Sequence, residues 1–241
     1  MQLSKRLQAV ADFVTKGFRV ADIGCDHAYL SIYLAEKNVS PFIVAMDINK
    51  GPLEKAEENI KKHKQEERIH IRRSDGLHKL EAGEVDTLLI AGMGGSLILQ
   101  ILSERRDVLA SVRELILQPQ SEVHLVRRAL SGFGFLITAE NILLEDGKYY
   151  VCMKAEAQSR LKDRQGYELT KEEHFHFGRL LLEQKHPILL EYMEKMRKQC
   201  ETIHETLILF PTDQSLLRQK EIAEEILLID RGLDYYKTRR L

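Results

Sequence analysis

Short apolar runs alternate with amphipathic stretches over the first two-thirds of the chain. The amphipathic stretches repeat their apolar positions with the helical period, as at residues 3–14 and 52–63, so we expect helices there. The apolar runs between them predict β-strands at residues 19–23, 42–47, 69–73, 86–91 and 115–118. Strands that alternate with helices predict a parallel sheet with right-handed crossovers and helices on both faces.

Two longer strand-like runs, at residues 133–144 and 148–155, follow this alternating part. They are joined by Glu145-Asp146-Gly147, and Asp-Gly between two such runs is a strong signal for a β-hairpin. We therefore expect an antiparallel hairpin at the end of an otherwise parallel sheet.

The pattern changes after Ala157 to long, charged, helical sequence. A polar linker at residues 158–166 precedes three predicted helices, near residues 170–185, 187–209 and 213–237, with an N-cap candidate in Pro211-Thr212-Asp213. The apolar positions of the last two helices alternate spacings of four and three, which is typical of a coiled-coil seam: Leu189, Met193, Met196, Cys200, Ile203, Leu207 and Phe210, then Ile222, Ile226, Ile229, Leu233 and Tyr236. We expect the seams to pack on each other as an antiparallel hairpin, with dimerisation as the alternative. The predicted domains are residues 1–157 and 158–241.

The charge balance narrows the possible partners. The chain has 241 residues, with 36 Lys and Arg against 37 Asp and Glu, so a nucleic acid must be met by a local basic patch. Its three cysteines are scattered without C-x-x-C spacing, which indicates reduced thiols and no metal site. No apolar run approaches the ~20 residues that span a bilayer, and the N-terminus does not read as a signal peptide. We expect a cytoplasmic monomer that uses neither a membrane nor a metal.

The first strand ends in a turn that indicates a nucleotide cofactor. In the segment Asp22-Ile23-Gly24-Cys25-Asp26-His27-Ala28-Tyr29 an apolar run meets an acid, a glycine and a helix-compatible stretch, and Ala45-Met46-Asp47 ends the second run at another acid. This pattern is typical of an opening βαβ unit, which binds its ligand at the carboxyl ends of the strands. The carboxylate of Asp47 is then placed to accept hydrogen bonds from both ribose hydroxyls of an adenosine.

The turn favours S-adenosylmethionine over a dinucleotide. A dinucleotide fingerprint needs G-x-G-x-x-G, but only Gly24 is present, and Cys25, Asp26 and Ala28 stand where further glycines would be. Carboxylates at Asp22 and Asp26 repel a pyrophosphate and suit a ligand with a sulfonium and an α-ammonium group. A plainer interpretation is that Asp26 is a helix N-cap. The terminal hairpin also favours a methyltransferase, because an NAD domain more often continues in parallel.

The third and fourth strands end in turns that extend the site. Ser74-Asp75-Gly76 follows the third strand, where methyltransferases commonly place a carboxylate on the adenine amine, although the same residues make a plain turn. Ala91-Gly92-Met93-Gly94-Gly95 follows the fourth and lacks the Asn or Asp, Pro-Pro and aromatic residues that hold an exocyclic amine. Its glycines allow close backbone approach and so permit a ring nitrogen as the methyl acceptor. The alternative is a tight turn with Met93 as packing.

The fifth strand ends at Leu117-Gln118-Pro119-Gln120, where uncharged glutamines are suited to read the edge of a base. The alternative is a solvated loop. His27 is either a base or a cover for the cofactor. Six basic residues are candidates for phosphate contacts, although each is more simply a solvated surface charge: Lys5, Arg6, Arg72, Arg73, Arg127 and Arg128.

Three of these motifs together resemble the bacterial TrmK family of tRNA (adenine22-N1)-methyltransferases. They are the segment from Asp22 to Tyr29, the segment from Ala91 to Gly95, and Gln118-Pro119. The similarity runs through residues 1–155, and the helical tail also resembles the coiled-coil domain of that family. The resemblance implies a Rossmann-like class I catalytic domain, S-adenosylmethionine as cofactor, tRNA as partner and methylation of an adenine in the D-loop.

Candidate residues are assigned to three roles. The predicted catalytic residues are Asp26, Met93 and Gln118. The predicted cofactor site comprises Asp22, Gly24, Cys25, Asp26, His27, Asp47, Ile48, Asp75, Gly76, Leu77 and Gly92. The predicted substrate site comprises Arg6, Tyr29, Gly94, Gly95, Pro119, Gln120 and Tyr149.

The predicted reaction is methylation of N1 of adenine 22. N1 has an available lone pair, so the enzyme needs mainly alignment and desolvation, and effective molarities of ~10⁵ M or more make this sufficient. N1 lies on the pairing edge, so the adenine must be unpaired or flipped out. Asp26 either stabilises the cationic product or only binds the methionine part of the cofactor. The helical tail is expected to grip the tRNA, with support of the first domain or subunit pairing as the alternative.

Two other classes of function stay open from the residues alone. One is a methyltransferase that acts on another base, a small molecule or a protein. The other is a non-catalytic RNA-binding protein with a vestigial cofactor pocket, against which Asp22, Asp47 and Asp75 argue.

Overall fold

A computed structural model describes residues 1–164, 167–209 and 212–237, with the backbone alone at residue 213. Its strands are β1 (Val20–Ile23), β2 (Ile43–Asp47), β3 (Ile69–Arg73), β4 (Thr87–Met93), β5 (Glu114–Pro119), β6 (Phe135–Glu145) and β7 (Lys148–Ala157). They form a seven-stranded sheet in the order β3-β2-β1-β4-β5-β7-β6. Strands β1 to β5 are parallel, whereas β7 is antiparallel to both β5 and β6.

Helices lie before the first strand, in several of the connections between strands, and after β7. They are α1 (Lys5–Ala11), α2 (Tyr29–Glu36), α3 (Lys50–Lys62), α4 (Gly95–Glu104), α5 (Arg106–Ser111), α6 (Val123–Leu130), α7 (Arg179–Glu183), α8 (Pro187–Leu209) and α9 (Asp213–Leu233). Every residue of β1 and β5 is buried, so both faces of the sheet are covered there. This explains why these strands appear in the sequence as continuous apolar runs.

The predicted parallel sheet and its terminal hairpin are confirmed. Each predicted strand is present, with ends that differ by at most two residues. The hairpin turn has left-handed backbone at both Asp146 (φ 49°) and Gly147 (φ 74°), the conformation that Asp-Gly favours in a two-residue loop.

The leader helix is shorter than predicted. Helix α1 begins after Ser4, whose hydroxyl accepts a hydrogen bond from the Leu7 amide at 3.3 Å, and ends at Ala11. The chain then turns, and Val14 reaches the core from outside the helix, with 6% of its surface exposed. The prediction of residues 3–14 was wrong at this end because a buried apolar position was taken as part of a helical face.

A buried carboxylate fixes the segment that follows α1 to the sheet. Glu114, 1% exposed at the start of β5, accepts hydrogen bonds from the Thr15 amide at 3.0 Å and the Thr15 hydroxyl at 2.6 Å. It also accepts from the Thr87 hydroxyl at 2.9 Å and lies 2.8 Å from the Lys154 ammonium group. The leader is therefore held by charge as well as by packing.

The chain divides into two compact units, Met1–Glu168 (unit 1) and Leu169–Leu241 (unit 2). Unit 1 continues past Ala157, where the sequence places the domain boundary. The Gln158 amide donates to the Gly134 carbonyl at 2.8 Å, and its side chain donates to the Ser131 carbonyl at 3.2 Å. The first residues of the predicted linker thus pack on unit 1.

Within unit 2, α8 and α9 pair in antiparallel fashion, as the seams predict. Arg197 Nε lies 2.7 Å from Asp230 Oδ1, and the Gln219 side chain donates to the Leu207 carbonyl at 3.0 Å. The buried seam positions include Leu189, Met193, Cys200, Ile222 and Ile229. Ile203 is 44% exposed, so the seam is open at this predicted position. The predicted positions Gly166, Phe210 and Pro211 lie outside the described residues.

The first predicted tail helix, at residues 170–185, is wrong as a single element. The structure has a π-helical turn at His174–Gly178 followed by α7, and Gly178 breaks the run with φ 88°. Helix α9 ends at Leu233 and not at residue 237. Its N-cap is Thr212, which forms a capping box with Ser215. Among the described helices none is long and apolar enough to span a membrane.

Candidate cofactor and acceptor site

The candidate residues meet at one edge of the sheet because parallel strands share their carboxyl ends. Strand order runs β3-β2-β1 in one direction and β4-β5 in the other, so the order reverses between β1 and β4. Such a reversal leaves a crevice outside the carboxyl ends of the two strands. The turns after β1, β2, β3, β4 and β5 carry the predicted site residues, and the fold brings them to this edge.

The turn after β1 is held by backbone hydrogen bonds to β2. The amides of Gly24 and Cys25 both donate to the Met46 carbonyl, at 2.8 and 2.9 Å. The backbone is left-handed at Gly24 (φ 74°), Asp26 (φ 51°) and Ala28 (φ 58°). Ala28 is the residue that caps α2, so the interpretation of Asp26 as a helix N-cap is wrong. The Asp26 carboxylate is left 70% exposed at the rim of the crevice.

Gly24 and Met93 are in direct contact across the switch point. A Cβ atom added at Gly24 would lie 2.2 Å from Met93 Cε. The Met93 side chain at the end of β4 therefore lies over bare backbone at the end of β1. This contact places Met93 between the turn predicted for the cofactor and the turn predicted for the acceptor.

Asp22 carries a buried carboxyl group beneath the turn. It is 4% exposed, and the Ser31 hydroxyl donates to its Oδ2 at 2.6 Å. Burial raises the pKa of Asp22 to about 6, with a further increase from Asp47, while the Ser31 hydrogen bond opposes the shift. Burial likewise raises the pKa of the Cys25 thiol, which is therefore a neutral packing group.

The turn after β2 is ordered around Asp47. Its Oδ1 accepts from the Asn49 amide at 2.8 Å, and its carbonyl accepts from the Ser74 amide at 3.0 Å. Ile48 is 50% exposed, and its carbonyl accepts from Arg73 Nε at 3.0 Å. The apolar side chain of Ile48 is suited to pack on one face of an adenine. The neighbouring Asp47 carboxylate is suited to accept hydrogen bonds from the ribose of the same adenosine.

The turn after β3 is compact. The Ser74 hydroxyl donates to the Gly76 carbonyl at 3.1 Å and accepts from the Lys79 amide at 3.1 Å. Asp75 is exposed, whereas Leu77 is fully buried. Leu77 therefore packs in the core, and only its backbone is available to a ligand.

His27 and Tyr29 stand at the start of α2. The His27 ring nitrogen Nε2 lies 3.6 Å from Asp26 Oδ1, and the ring packs edge-on against Tyr29 with centroids 5.7 Å apart. Tyr29 is 43% exposed, so it offers an aromatic surface to a partner.

On the acceptor side, β4 bulges at Gly92 (φ 83°), where its register with β5 shifts between Ala91 and Met93. The Gln120 amide donates to the Met93 carbonyl at 2.8 Å, which fixes the end of β5 to the end of β4. Gln118 is completely buried, and its Oε1 accepts from Arg6 Nη1 at 2.8 Å. Gln118 therefore contacts Arg6 and not the open crevice.

Gly94 and Gly95 have packing reasons to be glycine. A Cβ atom at Gly95 would lie 2.7 Å from the Ser121 carbonyl oxygen and 2.9 Å from that of Glu122. At Gly94 it would lie 3.2 Å from Ser121 Oγ. The Ser96 amide and hydroxyl donate to Glu122 Oε2, at 3.0 and 2.7 Å, at the start of α4.

Two further residues predicted for the substrate site lie on strands. Pro119 is buried in β5, and Tyr149 is half-buried in β7.

The basic candidates separate into different roles. Arg127 is 2% exposed and its Nε lies 2.7 Å from Glu140, so the interpretation as a solvated charge or phosphate contact is wrong. Arg72 pairs with Glu84 at 2.6 Å, and Arg73 holds the Ile48 carbonyl. Of these arginines, Arg6 is the one that contacts the end of β5, on the side of the crevice predicted for the acceptor.

Sequence reasoning missed several groups that shape the site, among them Ser31, Glu122, Glu145 and Tyr150. Each acts through a contact with a residue distant in the chain, or on the far side of a turn, and none belongs to a recognisable motif. Of these residues, only Ser31 could have been found from the local sequence. It lies two residues after Tyr29, in the first turn of α2, and its hydroxyl faces back toward β1. Within the described residues no group of three or more His, Cys, Asp or Glu is placed to hold a metal ion.

A mostly parallel sheet of this order, finished by an antiparallel hairpin and with acidic turns at the switch point, is the Rossmann-like fold of a class I methyltransferase. The model of the TrmK family, tRNA (adenine(22)-N(1))-methyltransferase, matches residues 20–231. The chain is 34% identical to the Bacillus subtilis tRNA (adenine(22)-N(1))-methyltransferase over 236 residues, 98% of each protein. The chain therefore belongs to the TrmK family.

Solved structures agree with this assignment. A Streptococcus pneumoniae protein in complex with S-adenosyl-L-methionine superposes with a TM-score of 0.83 at 33% identity, over 96% of this chain and 100% of that one. M. capricolum TrmK in complex with S-adenosyl-homocysteine superposes with a TM-score of 0.80 at 28% identity, over 98% of this chain and 100% of that one. The first of these relatives thus binds the methyl donor, and the second binds the product that remains after methyl transfer.

Proposed function

We propose that this chain transfers a methyl group from S-adenosylmethionine to N1 of adenine 22 in the D-loop of tRNA. The observation that carries the proposal is the family match, which runs from β1 through most of α9 and so includes both units. The site is consistent with it, because the strand ends offer carboxylates for a cationic cofactor and uncharged groups on the acceptor side.

The residues at the switch point fit S-adenosylmethionine. At Gly24 a Cβ would fill the space beside Met93, so the bare backbone forms a cradle that only glycine leaves open. Asp47 would hold the ribose hydroxyls, with Ile48 against the adenine and the Asp75–Leu77 turn at its edge. Asp22, Asp26 and His27 would face the methionine part. When bound, the cofactor supplies a methyl group made electrophilic by the sulfonium.

The protein then has to align the acceptor and exclude water. Met93 lies between the two turns, so it is suited to pack against both reacting partners. Gly92, Gly94 and Gln120 would border the adenine, and Tyr29 offers it an aromatic face. N1 attacks with its own lone pair, so alignment supplies the main rate enhancement. In this proposal the exposed Asp26 carboxylate would either stabilise the cationic product or only bind the methionine part of the cofactor.

The proposal extends to the partner and its location. Unit 2 would contact the tRNA body while unit 1 methylates the base, and the chain would act as a monomer in the cytoplasm. In support, α8 and α9 bury five seam positions without a second chain: Leu189, Met193, Cys200, Ile222 and Ile229. Sedimentation velocity of the protein alone and with tRNA measures both the subunit number and the stoichiometry.

The test uses purified protein, tRNA transcript and S-adenosylmethionine labelled in its methyl group. We expect one methyl group per tRNA, mapped to adenine 22 and located on N1 by nuclease digestion and mass spectrometry. A transcript with guanine at position 22 is the matched control and is expected to accept none. Methylation elsewhere would favour another base as the acceptor, and cofactor binding without methylation would favour a vestigial pocket.

A further inference from the structure

The bare backbone at Gly92 lies between two hydrogen-bond donors. A Cβ atom at Gly92 would lie 3.6 Å from Arg6 Nη1 and 3.7 Å from Gln120 Nε2. Both distances are ordinary contacts, so the guanidinium and the carboxamide flank this position without crowding it. We call the space between Arg6, Gly92 and Gln120 the donor slot. Its borders suit a ligand that brings hydrogen-bond acceptors.

Arg6 is held in place by contacts with three other residues. Its Nη1 donates to Gln118 Oε1 at 2.8 Å, and its guanidinium carbon lies 5.6 Å from the centre of the Tyr150 ring. The amides of Lys5 and Arg6 donate to the Glu145 carboxylate at 2.6 and 3.3 Å. A long, flexible side chain that is ordered in this way has already lost much of its conformational freedom before a ligand arrives.

The partners of the Arg6 head group are neutral. Gln118 is completely buried, and since arginine has no acceptor, the carboxamide must present its oxygen to Arg6. Across residues 1–164, 167–209 and 212–237, the contacts of the guanidinium are this oxygen and the Tyr150 ring, with no carboxylate within ion-pair distance. By contrast, Arg19, Arg72 and Arg105 each pair with an acid. The Arg6 guanidinium is therefore fixed beside the end of β5 without an ion pair to any described carboxylate.

From this geometry we infer that Arg6 binds a backbone phosphate of the RNA next to the adenine that is methylated, and that Gln118 is a positioning residue for Arg6. A phosphate offers the charged acceptors that a fixed guanidinium recognises. A glutamine, and not a glutamate, holds Arg6 because a carboxylate would neutralise the charge that the phosphate needs. The inference rests on the proposed function, and it names the RNA group that Arg6 would bind on its side of the donor slot, next to the adenine bordered by Gly92 and Gln120.

The first experiment measures the affinity of the full chain for tRNA transcript at several salt concentrations. For Arg6→Gln we expect affinity to fall about tenfold or more, as for loss of a charge-assisted hydrogen bond. The slope of log affinity against log salt should fall by about 0.7–0.9, the value for one phosphate. The KM for tRNA should rise more than kcat falls. Arg6→Lys keeps the charge and should keep the slope.

Gln118→Glu separates a positioning role from a merely structural one. The change is nearly isosteric and leaves Arg6 in place, but it puts a carboxylate on the guanidinium. We expect tRNA affinity and salt slope to fall as in Arg6→Gln, while S-adenosylmethionine affinity measured by calorimetry stays near that of the wild type. Wild-type tRNA affinity and slope in Gln118→Glu would overturn the positioning role.

Arg68→Gln is the matched control. Arg68 is also partly buried and held by neutral groups, the Ala35 carbonyl at 3.0 Å and Asn38 Oδ1 at 2.7 Å, but it precedes β3 at the opposite edge of the sheet. We expect its salt slope to equal that of the wild type. An unchanged slope in Arg6→Gln, or an equal loss in Arg68→Gln, would contradict the phosphate contact. Failure of the wild type to methylate adenine 22 would instead refute the proposed function.

Discussion

The two compact units place strained backbone and buried charge differently. In unit 1, left-handed residues occur at helix ends and in loops, and they also occur in the turns that follow the parallel strands, at Gly24, Asp26, Ala28, Gly76, Gly92 and Glu122. In the described part of unit 2 they are Gly178 and Lys185, next to helix ends. Glycine adopts this backbone without strain, but at a non-glycine residue it costs about 1–3 kcal/mol and persists where the surrounding structure requires it. In unit 1 the non-glycine residues Asp26, Ala28 and Glu122 therefore adopt this backbone next to the strand ends, whereas in the described part of unit 2 such backbone lies beside helices.

Two ion pairs show the same difference. Arg127 Nε lies 2.7 Å from Glu140 in unit 1, where each side chain is 1% exposed. Arg197 Nε lies 2.7 Å from Asp230 in unit 2, where the side chains are 35% and 41% exposed. The two ion pairs therefore have equal N–O distances but very different exposure to water. Burial decides how much the loss of one partner changes the free energy of unfolding.

The largest expected effect comes from breaking the buried pair. Arg127→Met leaves the Glu140 carboxyl buried without its counter-charge and should reduce the free energy of unfolding by about 3–5 kcal/mol. Arg197→Met should change it little, because water screens the surface pair. Urea unfolding followed by circular dichroism measures both variants. Equal losses would show that burial does not separate the two pairs.

A smaller effect is expected at Asp22, and its sign depends on pH. Burial raises the pKa of this carboxyl from 3.8 to about 6. The folded protein therefore holds this proton when the unfolded chain has lost it, and the contribution of Asp22 to stability falls as pH rises from about 4 to 6. Above that window the buried charge costs on the order of 3 kcal/mol.

Asp22→Asn removes that cost while an amide oxygen still accepts from Ser31. We expect the variant to be more stable than the wild type at pH 7 to 8 and to lack this fall between pH 4 and 6, yet to bind S-adenosylmethionine more weakly. Thermal melts across pH and calorimetry at pH 7.5 test the two parts. Parallel pH profiles for the two proteins would contradict the raised pKa.

The sequence predicted those parts of the fold that depend on local pattern. The apolar runs gave β1 and β5 because both faces of these strands are buried, and Asp146-Gly147 gave the hairpin because its turn needs left-handed backbone. Gly178 was missed as a break because one glycine in an amphipathic run is compatible with a continuous helix.

The site was predicted only as far as strand ends determine it. Turns after parallel strands must share an edge, so Gly24, Asp47 and Gly92 could be placed together. The contact between Arg6 and Gln118 joins residues 112 positions apart, and no spacing rule reveals it. Burial of Arg127 was missed for the same reason, since its partner Glu140 lies on a different element.

The smallest change in this comparison is one methyl group at Gly24. Alanine there must adopt φ 74°, which costs about 1–2 kcal/mol. Its Cβ would lie 2.2 Å from Met93 Cε, which is too close, so the Met93 side chain must move. Met93 is flexible and can move, so the fold should survive, but we expect the displaced side chain to enter the space that we propose for the cofactor. Gly17→Ala is the matched control, because Gly17 has φ 87° and no atom within 4 Å of an added Cβ. Both variants should lose similar stability in thermal melts, but only Gly24→Ala should weaken S-adenosylmethionine binding in calorimetry, by about tenfold. Equal cofactor affinity in the two variants would show that the turn after β1 carries strain without contacting the ligand.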